Sequence, residues 1–175
     1  MEQRPAAGDP AAAADEEFAA FVRAHQVSLH RTAYLMTGDR ERAQDVVQTA
    51  LAKLYQAWPR RHEWEHPVAY ARQAVVGVVL RSGERRWWGE RPTEHLPERD
   101  APDTAPDTVA AERDALRRAL ADLPVRQRTA VVLRYYLDLS EAATADALQC
   151  APGTVKSLTA RGLAALRTDL TEVGP

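Results

Sequence analysis

Three stretches of this chain hold residues whose types and spacing suit chemistry. His62-Glu63-Trp64-Glu65-His66 matches H-E-x-x-H, in which two histidines four apart on one helix face hold zinc and the glutamate between them acts as general base. The context argues against that use. Pro67 pushes His66 away from helical geometry, Pro59-Arg60-Arg61 precedes the pair, and no histidine follows at third-ligand spacing. The stretch reads as a polar interhelical loop; a zinc hydrolase is the weakest alternative, and no metal or other cofactor is expected. Cys150 is the single cysteine, so neither a disulfide framework nor a cysteine-based zinc site can form. Without a Gly-rich phosphate loop, a nucleophile elbow or a Cys/His relay, no enzyme chemistry is supported.

The second stretch runs from Leu139 to Leu166. Ser140 suits the cap of a short helix in which Ala143 and Ala147 are small enough for close helix–helix approach. Gln149-Cys150-Ala151 is a three-residue turn, and Pro152 opens a longer helix. Two helices joined so tightly describe a helix-turn-helix, whose second helix enters the major groove N-terminus first. Thr154, Lys156, Ser157 and Arg161 then offer hydroxyl, ammonium and guanidinium groups to bases and phosphates. Val155, Leu158, Leu166 and Leu170 supply the buried face. An ordinary helical hairpin would share this pattern, so both readings stand. The third stretch is Arg81, Arg85, Arg86, Trp87 and Trp88, cations for phosphates beside rings on which unpaired bases stack. The same tryptophans would serve equally well buried under a domain edge.

These residues need elements to position them, and helical periodicity supplies them throughout. Phe18, Phe21, Val22, His25, Leu29, Ala33 and Met36 mark one face of a helix over 15–37, stopped at Thr37-Gly38. Asp39 suits the cap of a helix over 40–58, with Ala43, Val46, Val47, Ala50, Leu51 and Leu54 on its apolar side and Pro59 at its end. A third helix runs from Pro67 to about Ser82, and further helices are expected over 108–122, 124–137, 140–148 and 152–169. No strand alternation occurs, so the fold class is all-α. Residues 1–14 read as a disordered tail. Residues 89–107, with four prolines, several acids and almost no large apolar residue, read as a flexible linker that cannot offset its ordering entropy.

The net charge of −2 conceals a segregation. Residues 1–17 and 98–115 each carry −4, leaving +6 on the remainder. Basic folded parts with acidic connecting segments suit a polyanionic partner. The longest apolar run, Ala74 to Leu80, has seven residues, against roughly 20 for a membrane helix. No leader is evident at the start, and a soluble cytoplasmic protein without membrane insertion is expected.

The order of parts resembles an extracytoplasmic-function (group IV) sigma factor of the sigma-70 family over about 18–170. The most specific stretches are Ala119-Leu-Ala-Asp-Leu-Pro-Val-Arg-Gln-Arg128, Val131-Val-Leu-Arg-Tyr-Tyr136 and Gly153-Thr-Val-Lys-Ser157 with Arg161-Gly-Leu163. Ala33-Tyr-Leu-Met-Thr-Gly-Asp39 and Ala43-Gln-Asp-Val-Val-Gln48 are similar to the family's early helices. The resemblance implies two helical domains, region 2 over 15–88 and region 4 over 108–170, joined by the acidic Pro-rich linker. It implies an alternative sigma factor that binds core RNA polymerase and directs promoter recognition and transcription initiation. Asp45, Gln48, Leu51 and Leu54 would meet the clamp helices of the largest subunit. The segment Tyr70 to Trp88, with Arg81, Arg85, Arg86, Trp87 and Trp88, would capture the melted −10 element. The recognition helix, with Thr154, Lys156, Ser157 and Arg161, would read the −35 element. An anti-sigma factor is a further partner class, because many family members have one that masks these surfaces.

Four positions depart from the family pattern. Gly77 stands near a usual Asn, Ser82-Gly83 stand where aromatic or basic residues are common, and Gln149 replaces the usual turn Gly. The alternative is therefore a diverged sigma-like helix-turn-helix regulator that binds DNA without melting it.

Overall fold

Apolar residues at steps of three and four fold into seven α-helices in a computed structural model, which describes residues 10–86 and 107–172. Helix α1 spans Pro10–Thr37. It begins five residues ahead of the expected start, because Pro10 suits a first helical position and the Ala11–Ala14 run has high helix propensity. Its early turns are also tied down. Asp15 accepts a hydrogen bond from the Tyr55 hydroxyl at 2.8 Å, and Glu17 pairs with Arg61. The helix stops at Gly38, whose φ of +72° is open to glycine at little cost. Helix α2, Arg40–Ala57, starts where the Asp39 carboxylate accepts from the Arg42 N–H at 2.8 Å. A 3-10 turn, Trp58–Glu63, leads to α3, Pro67–Arg86.

Helices α1, α2 and α3 pack as a three-helix unit around Leu29, Met36, Val47, Leu54, Val75 and Val76, all almost fully buried. Trp58 closes one end of it. Its indole lies 5.1 Å from Phe18, 5.0 Å from Phe21 and 5.9 Å from Trp64, and Trp64 in turn stacks on Tyr70 at 4.2 Å. Such ring pairs contribute roughly 0.5–1.5 kcal/mol each beyond their buried area.

The second unit comprises α4 (Asp107–Asp122), α5 (Val125–Val131), α6 (Glu141–Leu148) and α7 (Pro152–Glu172). The helix expected over 124–137 is not uniform. After Val131 it widens into a π turn, Val132–Tyr136, closed by the Leu137 N–H donating to the Val132 carbonyl at 3.0 Å. That turn buries both Val132 and Leu133 and leaves Tyr135 and Tyr136 exposed. The Arg134 guanidinium reaches over to the Leu139 carbonyl. Leu170, expected on the buried face of α7, is instead 39% exposed, one turn beyond the last packing contact of Leu166.

The sequence pattern suggests two modules on a tether, yet the described parts pack against each other. One continuous apolar cluster joins Leu29 and Val76 of the first unit to Leu133, Leu148 and Val155 of the second. Leu35 of α1 also touches the cluster of Leu120, Leu123 and Leu166. The Arg117 guanidinium sits over the Tyr34 ring at 5.9 Å. At Gly38 the approach is so close that a Cβ would lie 2.8 Å from an Arg128 guanidinium nitrogen and 2.9 Å from Ala121 Cβ.

Candidate functional site

Ser140 caps α6, its hydroxyl accepting from the Ala143 N–H at 3.1 Å. The helix ends at Gln149 in the left-handed conformation, φ 50° and ψ 52°. The Cys150 N–H donates back to the Ala145 carbonyl at 3.0 Å, closing the turn. Residues 149–151 thus reverse the chain in three residues, and α7 begins at Pro152. Ala145 is the small residue buried at this crossing; Ala143 and Ala147 are only partly covered.

Helix α7 is seated by Val155, Leu158 and Leu166 and by the buried Thr159 hydroxyl, which donates to the Val155 carbonyl at 2.8 Å. At Gly162 it approaches α5 without an intervening side chain, since a Cβ there would meet Val131 Cγ2 at 2.8 Å. The opposite side brings Thr154, Lys156, Ser157 and Arg161 together in solvent. Arg161 is braced along the helix, its Nε donating to the Ser157 carbonyl at 3.1 Å and a terminal nitrogen to Ser157 Oγ at 3.3 Å. Lys156 Nζ rests 3.5 Å from a Glu141 carboxylate oxygen. Glu141 was missed by sequence reasoning, although its place in the first turn of α6 puts it beside the start of α7. Arg167 and Thr168 extend the same exposed row further along the helix.

On α2, Asp45 and Gln48 are exposed and Leu51 is half-buried. Leu54 is 0% exposed, which corrects its place among outward contacts: its position falls on the α1–α3 side of the helix, so it belongs to the core. On α3, Arg81 is exposed and its guanidinium lies over Gly77, 3.3 Å from where a Cβ would be. Arg85 and Arg86 belong to the last turn of α3 by their backbone, and Trp87 and Trp88 lie outside the described residues.

Tyr70, Gln73, Gly77 and Arg81 share one face of α3 and line a cleft of about 540 Å³ whose far wall is Arg126, Ala147 and Gln149 of the second unit. Lys53 also lines it, and among the described residues no carboxylate does. The Arg126 guanidinium is held by the Leu148 carbonyl at 3.3 Å. Arg128 is buried at the junction near Gly38. It donates to the Ala121 carbonyl at 3.2 Å while its Nε has no partner. Burial pulls its pKa down, with Asp122 opposing that shift and Arg42 adding to it.

The H-E-x-x-H residues do not assemble. His62 lies in the 3-10 turn and His66 beyond it, 73% and 76% exposed, each 3.9 Å from a neighbouring glutamate. Among the described residues no three potential ligands converge. Beside this loop the Arg61 hydrogen bond holds the Glu17 carboxyl below its usual range. The Asp15 carboxylate raises the Tyr55 hydroxyl pKa.

Comparison with known proteins matches both units. Residues 21–89 match the family model of Sigma-70 region 2, and residues 113–166 match that of Sigma-70, region 4. The RNA polymerase sigma-E factor of Streptomyces coelicolor is 36% identical over 157 residues, spanning 88% of this chain and 86% of the relative. The ECF RNA polymerase sigma factor SigL of Mycobacterium tuberculosis is 34% identical over 158 residues, 86% of each chain. Among solved structures, the sigma factor RpoE in complex with the anti-sigma factor NepR from Bartonella quintana shares the fold. Its TM-score is 0.63 at 20% identity, over 91% of this chain and 99% of that one. CnrH in complex with the cytosolic domain of CnrY gives 0.61 at 18% identity, over 94% and 96%.

Proposed function

The chain belongs to the sigma-70 family of RNA polymerase sigma factors, and from that premise we propose how its helices divide the work. It is an alternative sigma factor that directs transcription initiation. Sigma factors are DNA-binding regulators rather than enzymes. They convert binding energy into promoter choice and strand opening, and the polymerase supplies the catalytic metal. A modest difference per contact suffices, because each wrong base costs roughly 1–3 kcal/mol.

In this reading residues 15–88 form the unit that docks on core polymerase and handles the −10 element, residues 89–107 link, and residues 108–170 read the −35 element. Asp45 and Gln48, with Leu51 at their margin, meet the clamp helices of the largest subunit. The Tyr70, Gln73, Gly77 and Arg81 face of α3, continuing into Arg85, Arg86, Trp87 and Trp88, captures the melted −10 strand. Because Gly77 brings no side chain, capture there depends on Arg81 rather than on an amide. Thr154, Lys156, Ser157 and Arg161 enter the major groove. The protein works with polymerase in the cytoplasm, and an anti-sigma factor is a further partner. Among the described residues no helix is long and apolar enough to cross a membrane.

The observation that carries this reading is the exposed polar row on α7, mounted on a turn with Gln149 in the left-handed conformation. The test is co-elution of the full chain with sigma-free core RNA polymerase on a sizing column, beside Asp45→Arg. Saturable co-elution of the native chain, weakened by Asp45→Arg at unchanged helix content, is expected. Failure of the native chain to co-elute, next to a working sigma control, points to the DNA-binding regulator instead.

A further inference from the structure

We propose that Glu141 is a specificity-determining residue for duplex reading: it demands an exocyclic amino group, above all that of cytosine, on a base pair beside the α7 row. This rests on the reading of α7 above. Glu141 stands in the first turn of α6, yet a carboxylate oxygen lies 3.5 Å from Lys156 Nζ on α7. An acidic group from the first helix of the motif is thereby set at the margin of Thr154, Lys156, Ser157 and Arg161, all of them exposed. The pair itself reaches solvent, with the Lys156 side chain 67% and the Glu141 side chain 43% exposed, so an approaching duplex meets both. Glu141 is not needed as a cap, because Ser140 Oγ already accepts from the Ala143 N–H.

Away from DNA the ammonium neutralises the carboxylate, and on the duplex the two part. An exposed ion pair is weak, whereas a phosphate backbone gives the ammonium a denser set of partners and releases counterions. In helix-turn-helix docking the second helix enters the groove while the first crosses the backbone. A cation reaching from α7 toward α6 is therefore directed at the strand that α6 crosses. Lys156 passes to a phosphate, and the carboxylate is left without its cation at the groove edge. Arg161 does not replace that cation, being braced along its own helix by Ser157. An ionised carboxylate accepts hydrogen bonds and donates none. Guanine O6 and N7 and thymine O4 are acceptors and repel it, while cytosine N4 and adenine N6 carry donors. Cytosine suits it best, because adenine sets the N7 acceptor beside its amino group. The two side chains thus divide the task. Lys156 supplies affinity without regard to sequence, and Glu141 trades some of that affinity for discrimination.

The test uses the full chain assembled with core RNA polymerase, which selects from a library of random duplexes, and circular dichroism checks the folding of every variant. At one position of the sequence selected by the native chain, replacing the favoured C·G pair by T·A should weaken binding at least about fivefold. With Glu141→Ala the same replacement should cost less than about twofold, and a scrambled duplex should bind more tightly than it does to the native chain. Glu141→Gln, which keeps the shape of the side chain, should move the preference at that position to adenine, since an amide pairs with both N6 and N7. A role confined to helix stability would move no base preference. Lys156→Ala should weaken all sequences by a similar factor and leave the preference in place. An unchanged selected sequence in both Glu141 variants, or a preference at that position lost with Lys156→Ala, would overturn the proposal. Selection altered by Arg161→Ala but by neither Glu141 variant would remove the role of Glu141 alone. Selection indifferent to Arg161→Ala, Lys156→Ala and both Glu141 variants would remove the reading of α7, and the proposal with it.

Discussion

Replacing Gly162 by alanine should weaken the second unit, although glycine is an unfavourable helix residue. In an unobstructed helix interior Gly→Ala stabilises by roughly 1 kcal/mol. Here the new Cβ would lie 2.8 Å from Val131 Cγ2, well inside the roughly 3.5–4.0 Å of ordinary carbon contact. Val131 is 7% exposed and β-branched on a helix, so one χ1 rotamer dominates and its methyl has nowhere to turn. Overpacking of this kind costs about 1–3 kcal/mol. The clash outweighs the propensity, leaving a net loss of about 1 kcal/mol and a melting temperature lower by roughly 2–4 °C for a chain of this length. The substitution should change sign beside Val131→Ala. With the methyls gone, Gly162→Ala regains the propensity term and stabilises by about 1 kcal/mol relative to Val131→Ala alone, a coupling of about 2 kcal/mol. Urea denaturation of the four chains, followed by far-UV circular dichroism, measures the cycle. A stabilising Gly162→Ala in the native background, or the same effect in both backgrounds, refutes the reasoning. Because the contact sets α7 against α5, the single substitution should also lower affinity for duplex DNA, and Val131→Ala should restore part of it.

At the turn, Gln149→Gly should stabilise by about 1 kcal/mol, since a left-handed conformation costs an L side chain roughly 1–2 kcal/mol that glycine avoids; unchanged urea midpoints would contradict it. Lys156→Ala and Arg161→Ala should each reduce the slope of log affinity against log salt for duplex DNA by about 0.9. A slope that stays constant would mean this row does not meet phosphates. Glu17 titrates below its ordinary range because of Arg61. Its pairing is therefore present above the ordinary carboxylate pKa and is lost as pH falls through the lowered folded value. Glu17→Gln should accordingly lower stability on the neutral-to-alkaline side, where the pairing is present, and so flatten the acid limb; an unchanged acid limb would count against the pairing.

Local patterns were legible wherever a side chain acts on its own neighbours. Asp39 and Ser140 cap the helices that follow them through bonds to backbone three residues on. Gly38 and Gln149 each take the left-handed conformation at a helix end. Wherever two apolar residues compete for one face, spacing was not enough. Leu51 and Leu54 both fit an apolar stripe on α2, and only the position of α1 and α3 makes Leu54 core and leaves Leu51 half-buried. The π turn escaped notice because periodicity over 124–137 reads as one helix. It buries Val132 and Leu133 together shortly before the chain turns at Asp138, φ 51°.

Helix positions, caps, the tight turn before Pro152 and the polar row of α7 depend on interactions within a few residues, so composition and period suffice to specify them. Three features depend on residues far apart in the chain. The start of α1 at Pro10 relies on Tyr55 and Arg61, more than 35 residues away in sequence. Arg128 stands in a stretch that looks like a surface helix, and it is buried because Gly38 of another unit comes against it. The cleft over α3 needs Lys53, Arg81 and Arg126, cations from both units, to meet in space. Residues within one helical turn constrain each other through the backbone itself. Residues tens of positions apart do so only once apolar burial has brought their helices together.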